Sequence, residues 1–190
     1  GIRLEGHSGE TIAIVGSTGA GKSTMINLLN RFYEIDSGKI TIDNQDIQDF
    51  ELESLRQQIA IVLQDVFLFA DTIYNNITLN NPNISRDEVI DAAKKIGIHK
   101  FILTLPDGYD YNVKERGVML SSGQRQLIAF LRAAVNNPSI LILDEATSSI
   151  DSYSEELIQK ATKKITKGRT SIIIAHRLAT IMNADKIIVM

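Results

Sequence analysis

Residues Ala13–Leu29 read AIVGSTGAGKSTMINLL, an apolar strand pattern, then a glycine-rich loop, then an apolar helix pattern. Gly16, Gly21, Lys22 and Ser23 satisfy G-x-x-x-x-G-K-[ST] in the strand-before, helix-after setting that gives the motif its meaning. Glycines let the backbone fold around an anion so that successive N–H groups point inward, and the helix N-terminus adds positive potential. The loop Gly16, Ser17, Thr18, Gly19, Ala20, Gly21, Lys22, Ser23 and Thr24 is therefore predicted to cradle phosphates. Within it, Lys22 is placed to reach the β- and γ-phosphates and Ser23 to ligate Mg²⁺.

Outward from this loop, the runs at 11–15, 39–43, 59–63, 140–144, 171–175 and 186–190 are short and rich in β-branched residues. Most are apolar nearly throughout, as expected of strands covered on both faces by helices. Helical patterns lie between them. Leu127, Ile128, Leu131, Ala134 and Val135 form one apolar face that Pro138 closes, and Ser85 with Glu88 makes a capping box ahead of Val89, Ala93 and Ile96, with Gly97 as the stop. The chain is thus read as α/β, with a mainly parallel sheet flanked by helices. No convincing apolar strand falls between Leu63 and Ile140, so residues 85–137 are expected to form an inserted helical subdomain on a core of 1–84 and 138–190. Internal boundaries are possible at LNNPNIS and LPDGYDYN.

Composition narrows the function classes. The 190 residues are 44% hydrophobic, enough for one substantial core, and no apolar run approaches the roughly 18 residues that span a bilayer. The absence of cysteine excludes disulfides and thiolate metal sites, and a net charge of −3 offers no global attraction for nucleic acid, so no nucleic-acid partner is expected.

A second motif complements the loop. In ILILDEATSSID, residues 140–151, an apolar strand ends in Asp144, which puts a carboxylate at the strand ends where open α/β sheets bind ligands. Asp144 is expected to hold Mg²⁺ through water, and Glu145 to polarise a water for attack on a γ-phosphate.

At LSSGQRQL, Leu120–Leu127, the sequence resembles the nucleotide-binding domain of ABC transporters, whose signature normally reads LSGGQ. Six motifs stand in family order: the phosphate loop; Gln64 after a strand, as in the Q-loop; Ser121, Ser122, Gly123 and Gln124; Asp144 with Glu145; Asp151 in SSID, as in the D-loop; and His176 in IIIAHRLAT. The segment KERGVMLSSGQRQL resembles exporter-type domains most. The resemblance implies a P-loop ATPase core, with the signature carried by the helical insertion. It also implies ATP and Mg²⁺, with Ser23, Gln64 and Asp144 around the metal and Glu145, His176 and Gln64 as catalytic groups. Ser121–Gln124 and Asp151 would complete the ATP site of a second nucleotide-binding domain, in a homodimer or a heterodimer. A transmembrane domain at the cytoplasmic face of a membrane is the other implied partner. Phe67, Phe69 and Tyr74 then either line a groove for it or pack in the core.

Taken by themselves, several of these residues have a second reading. SSGQ is also an ordinary helix N-cap, Asp151 also caps a helix whose far end carries Lys163, Lys164 and Lys167, Gln64 also suits an exposed strand end, and His176 also reads as a capped, structural histidine. Two departures stand out: Ser122 replaces the usual first glycine of the signature, and Lys114 stands where the exporter-type segment often has glycine. No aromatic precedes Phe32, so the usual adenine-stacking residue is expected upstream of a chain shortened at both ends. A non-transport ABC ATPase and a regulatory module that binds without turnover are the alternative functions. The second is disfavoured by the co-occurrence of Lys22, Asp144, Glu145 and His176.

Overall fold

In chain order the elements are β1 (Thr11–Val15), α1 (Lys22–Leu29), β2 (Thr41–Ile42), β3 (Gln45–Asp46), α2 (Leu52–Gln57), β4 (Ile59–Val62), α3 (Ile73–Thr78), α4 (Arg86–Ile96) and α5 (His99–Thr104). They continue as α6 (Ser122–Val135), β5 (Ile140–Asp144), α7 (Ser152–Thr166), β6 (Thr170–Ile174), α8 (Leu178–Met182) and β7 (Lys186–Val189). This computed structural model describes all residues except 1, 2 and 146–148, so Ser148 of the SSID segment lies outside it. The α/β class expected from the sequence is what the chain adopts. Five strands form one sheet in the order β4-β5-β6-β1-β7, and the pairings β1–β6, β1–β7 and β5–β6 are parallel.

One expected strand is corrected. Of 39–43, only Thr41–Ile42 is extended, and it pairs with Gln45–Asp46 in a separate two-stranded hairpin. Asp43 and Asn44 take φ of 50° and 65°, the left-handed pair that a two-residue hairpin turn requires, so the chain reverses before the run can enter the large sheet.

The residues divide into two compact units. The first comprises Gly1–Ile61, Pro138–Glu145 and Gly168–Met190; the second comprises Val62–Asn137 and Ala146–Lys167. The second is wider than the expected 85–137 insertion, because α6 packs against α3 and α7 as well as α4. Neither LNNPNIS nor LPDGYDYN is a unit boundary.

In the first unit, Ile26, Ile47, Leu55, Ile59, Ile142 and Ile174 form a buried cluster that seats α1 and α2 against the sheet. Each such side chain contributes about 1.5–3 kcal/mol by leaving water. In the second, Leu127, Ile128 and Leu131 of α6 are fully buried, as are Ile73, Ile77 and Ile102. The α4 capping box forms as expected, Ser85 Oγ accepting from Glu88 N at 3.2 Å and Glu88 Oε2 from Ser85 N at 2.7 Å. Gly97 ends that helix in the left-handed conformation. Among the described residues no helix is long and apolar enough to cross a membrane.

Candidate active site

β1 delivers the chain into the glycine-rich loop, and α1 leaves it. Gly21 occupies the N-cap of α1 with φ 98°, a conformation that costs any residue with a Cβ. No side chain caps α1 and no acidic residue lies in its first turn, so the free N–H groups and the dipole of this end are left for an external anion. Gly16 is demanded by proximity: a Cβ there would lie 2.4 Å from the Met190 carbonyl oxygen at the end of β7. Gly16–Gly19, Ser23 and Thr24 are exposed, whereas Lys22 is only 8% exposed. Its ammonium donates to the carbonyls of Gly16 at 2.8 Å and Ser17 at 2.7 Å, which holds the cation inside the curve of the loop.

The sheet register sets the acidic pair beside this loop. Ile14 of β1 and Asp144 of β5 both pair with Ile174 of β6, so the three stand level across the sheet. Asp144 is therefore two strand spacings from β1, roughly 10 Å, at the edge where the loop begins. Glu145 follows it and is 8% exposed. Its Oε2 accepts from the backbone N–H groups of His176 at 2.7 Å and Arg177 at 3.0 Å, and its Oε1 accepts from the Thr180 hydroxyl. The His176 ring is exposed, one residue beyond the buried Ala175. Phosphate loop, Asp144, Glu145 and His176 thus gather on one sheet edge of the first unit, an arrangement suited to binding and hydrolysing a nucleoside triphosphate.

Gln64, Ser121–Gln124 and Asp151 belong to the second unit. Ser121 is the N-cap of α6 in a full capping box: its Oγ accepts from Gln124 N at 3.2 Å, and Gln124 Oε1 accepts from Ser121 N at 2.9 Å. The cap reading of SSGQ is thereby realised, and it leaves the Ser121 hydroxyl proton available to an acceptor. Asp151 caps α7, its Oδ1 accepting from Ser154 N at 2.8 Å. Those backbone and side-chain bonds from Ser154 hold its carboxyl below the ordinary aspartate range. Gln64 lines an open cleft of about 340 Å³ with Asp65, Val66, Phe67, Arg116, Val118, Ser122 and Arg125.

The family model for the ABC transporter matches residues 1–148, more than half of the chain and including the loop, signature and acidic pair described above. The chain belongs to the ABC transporter family. YgaD of Bacillus subtilis, named as a multidrug export ATP-binding/permease protein, is 50% identical over 189 residues, covering 100% of this chain and 33% of that protein. A like-named protein of Staphylococcus aureus (strain NCTC 8325 / PS 47) is 53% identical over 188 residues, 99% of this chain and 32% of that one. Among solved structures, a bacterial Atm1-family ABC exporter with ATP bound is similar at a TM-score of 0.86 and 48% identity, over 96% of this chain and 32% of that chain. The chain spans about a third of the length of the relatives it matches.

Seen as an ABC ATP-binding domain, the chain has supporting residues that the motifs alone did not disclose. Asn76, fully buried, accepts from Phe69 N at 2.8 Å and donates to the carbonyls of Phe69 and Thr72, both at 3.0 Å, which fixes the segment after Gln64. Arg132 of α6 donates to the carbonyls of Asn76 at 2.8 Å and Phe67 at 3.3 Å, and burial lowers its pKa. Phe67 and Phe69 meet edge to face at 5.1 Å and stay more than half exposed. Tyr74 instead donates its hydroxyl to the Ile84 carbonyl at 2.8 Å. Gly123 has a packing reason: a Cβ would fall 2.6 Å from Ile150 Cγ2 and 2.7 Å from Ser154 Cβ. The structure also accounts for the glycine that the exporter-type segment often has where this chain has Lys114, whose φ of 58° and ψ of −172° lie in a region essentially reserved for glycine.

Proposed function

We propose that this chain binds ATP with Mg²⁺ and hydrolyses it as the motor domain of an exporter, working as one of a head-to-tail pair. The observation that carries the reading is the level set by Ile14, Ile174 and Asp144, which brings a phosphate loop and two carboxylates to one sheet edge. Around the loop, the uncapped start of α1 and Lys22 take the β- and γ-phosphates, Lys22 exchanging the Gly16 and Ser17 carbonyls for phosphate oxygens.

The donor set fits Mg²⁺. Ser23 and Asp144 of the first unit would supply hard oxygen ligands to the cation. With so few protein oxygens, Mg²⁺ would be held mostly by phosphates and water, and when bound would supply neutralisation of phosphate charge. Glu145 orients the attacking water. The water oxygen bonds to the γ-phosphorus as the bond to the β-phosphate oxygen breaks, releasing ADP and phosphate, with His176 placed to contact the transferring group.

Ser121, Gly123 and Asp151 act toward the nucleotide of the second domain, so hydrolysis would alternate with opening of the pair. Multidrug export ATP-binding/permease relatives covering the whole chain support a transmembrane partner at the cytoplasmic face of a membrane. Exposed Phe67 and Phe69 beside Gln64 supply an apolar surface for that partner. Two variants test the reading. Glu145→Gln should bind ATP as the parent does and lose at least about a hundredfold in turnover, whereas Lys22→Ala should lose ATP binding itself. A glutamine variant that turns over at the parent rate removes Glu145 from the mechanism.

A further inference from the structure

We infer that Thr180 is a positioning residue for hydrolysis, one that fixes Glu145 as a water-orienting group through a three-donor clamp. The inference rests on the catalytic reading of Glu145. An ionised carboxylate offers about four acceptor positions. Three are taken here, two at Oε2 by the His176 and Arg177 N–H groups and one at Oε1 by the Thr180 hydroxyl. At most one remains, which suits accepting a single water proton.

The clamp also constrains direction. Both backbone donors bind the same oxygen, so they leave the carboxylate free to pivot about Oε2 unless Oε1 is held as well. Thr180 is the group that holds it, from the first turn of α8, four residues beyond His176. Because His176 donates its own N–H to Glu145, the clamp also fastens the acidic residue to the segment carrying the exposed imidazole.

Thr180→Val keeps the side chain's shape and deletes the donor, while Thr180→Ser keeps the donor and deletes the methyl. Expected for Thr180→Val is a fall in kcat of about tenfold. KM for ATP should stay within about twofold, since the interaction serves the reacting water and not the bound nucleotide. Thr180→Ser should restore most of the rate, and in a Glu145→Gln background Thr180→Val should add no further loss. An unchanged kcat in Thr180→Val, or an equal loss in Thr180→Ser, overturns the proposal.

A measurement without turnover accompanies these. The amide proton resonances of His176 and Arg177 should lie downfield in the parent chain and move upfield in Glu145→Gln. If they do not move, the clamp does not exist and the proposal fails, whatever the rates show. If they move and Glu145→Gln nevertheless hydrolyses ATP at the parent rate, the catalytic reading of Glu145 fails, and Thr180 with it. If Thr180→Val does not fold, the serine variant's rate and the amide shifts in Glu145→Gln decide together.

Discussion

Replacing Gly123 by alanine separates two reasons for a glycine at this point of the signature, contact with a nucleotide and contact within the chain. The added methyl carbon would sit 2.6 Å from Ile150 Cγ2 and 2.7 Å from Ser154 Cβ, both well inside van der Waals separation. Ser154 Cβ is rigidly attached to the backbone of α7 and is 2% exposed at the level of the whole residue, so relief requires α6 and the start of α7 to move apart. Overpacking of this kind costs about 1–3 kcal/mol. Against it stands the helix propensity gained on replacing glycine by alanine, up to about 1 kcal/mol and less in the first turn. The net expectation is a loss of roughly 1–2 kcal/mol without any nucleotide present. Urea unfolding followed by far-ultraviolet circular dichroism reads this as a lower midpoint at unchanged slope. A variant as stable as the parent would refute the packing account of Gly123 and leave only its approach to phosphate.

Other perturbations follow from the same geometry. Lys114→Gly should stabilise the chain: relief of strain at φ 58° and ψ −172°, about 1–3 kcal/mol, exceeds the unfolded-state entropy of a glycine, about 0.4–1 kcal/mol, and the Lys114 side chain is exposed. A lower urea midpoint would contradict the strain. Asn76→Ala should cost about 1–3 kcal/mol, because it strands the Phe69 N–H, while the Phe69 and Thr72 carbonyls keep the backbone donors Asp71 N and Asn76 N, and thermal unfolding would register it. The carboxyls of Glu88, Asp110 and Asp151 are all held below their ordinary values, the first and last by hydrogen bonds at helix caps and Asp110 by the hydrogen bonds of Arg86. A lowered folded value means stability that is present above the ordinary carboxylate range, about pH 4, and is lost as pH falls through the folded values. Stability measured against pH should therefore decline below that range, and Arg86→Met should make the decline shallower.

The sequence disclosed most where local chemistry and periodicity agree. The loop at Gly16–Thr24, the buried strands at 11–15 and 140–144, and the Ser85–Glu88 box could each be read from neighbours in the chain. Residues 39–43 misled because their alternation fits a strand equally well in a sheet or a hairpin, and only the left-handed Asp43-Asn44 turn decides between them. The breadth of the second unit was hidden for a related reason, since α7 follows β5 in the chain but packs on α6. Asn76, Arg132 and Thr180 escaped because their partners are largely backbone groups or a carboxylate reached through the fold, at separations of up to 56 and 35 residues for Arg132–Asn76 and Thr180–Glu145. A polar residue amid apolar neighbours, such as Asn76 ahead of Ile77, was the available signal. The SSGQ segment shows that capping and phosphate recognition are not competing readings: the box uses the Ser121 oxygen as acceptor and leaves its proton to donate.

The central claim is that the loop of one chain holds half of an ATP site and a second chain completes it. Its most direct test is Mg²⁺-dependent ATP hydrolysis per chain, measured across a wide range of protein concentration with Glu145→Gln as the control. The account predicts a specific rate that climbs with concentration toward a plateau and vanishes in the control. A specific rate independent of concentration, in a chain shown by sedimentation to remain monomeric throughout, would contradict it.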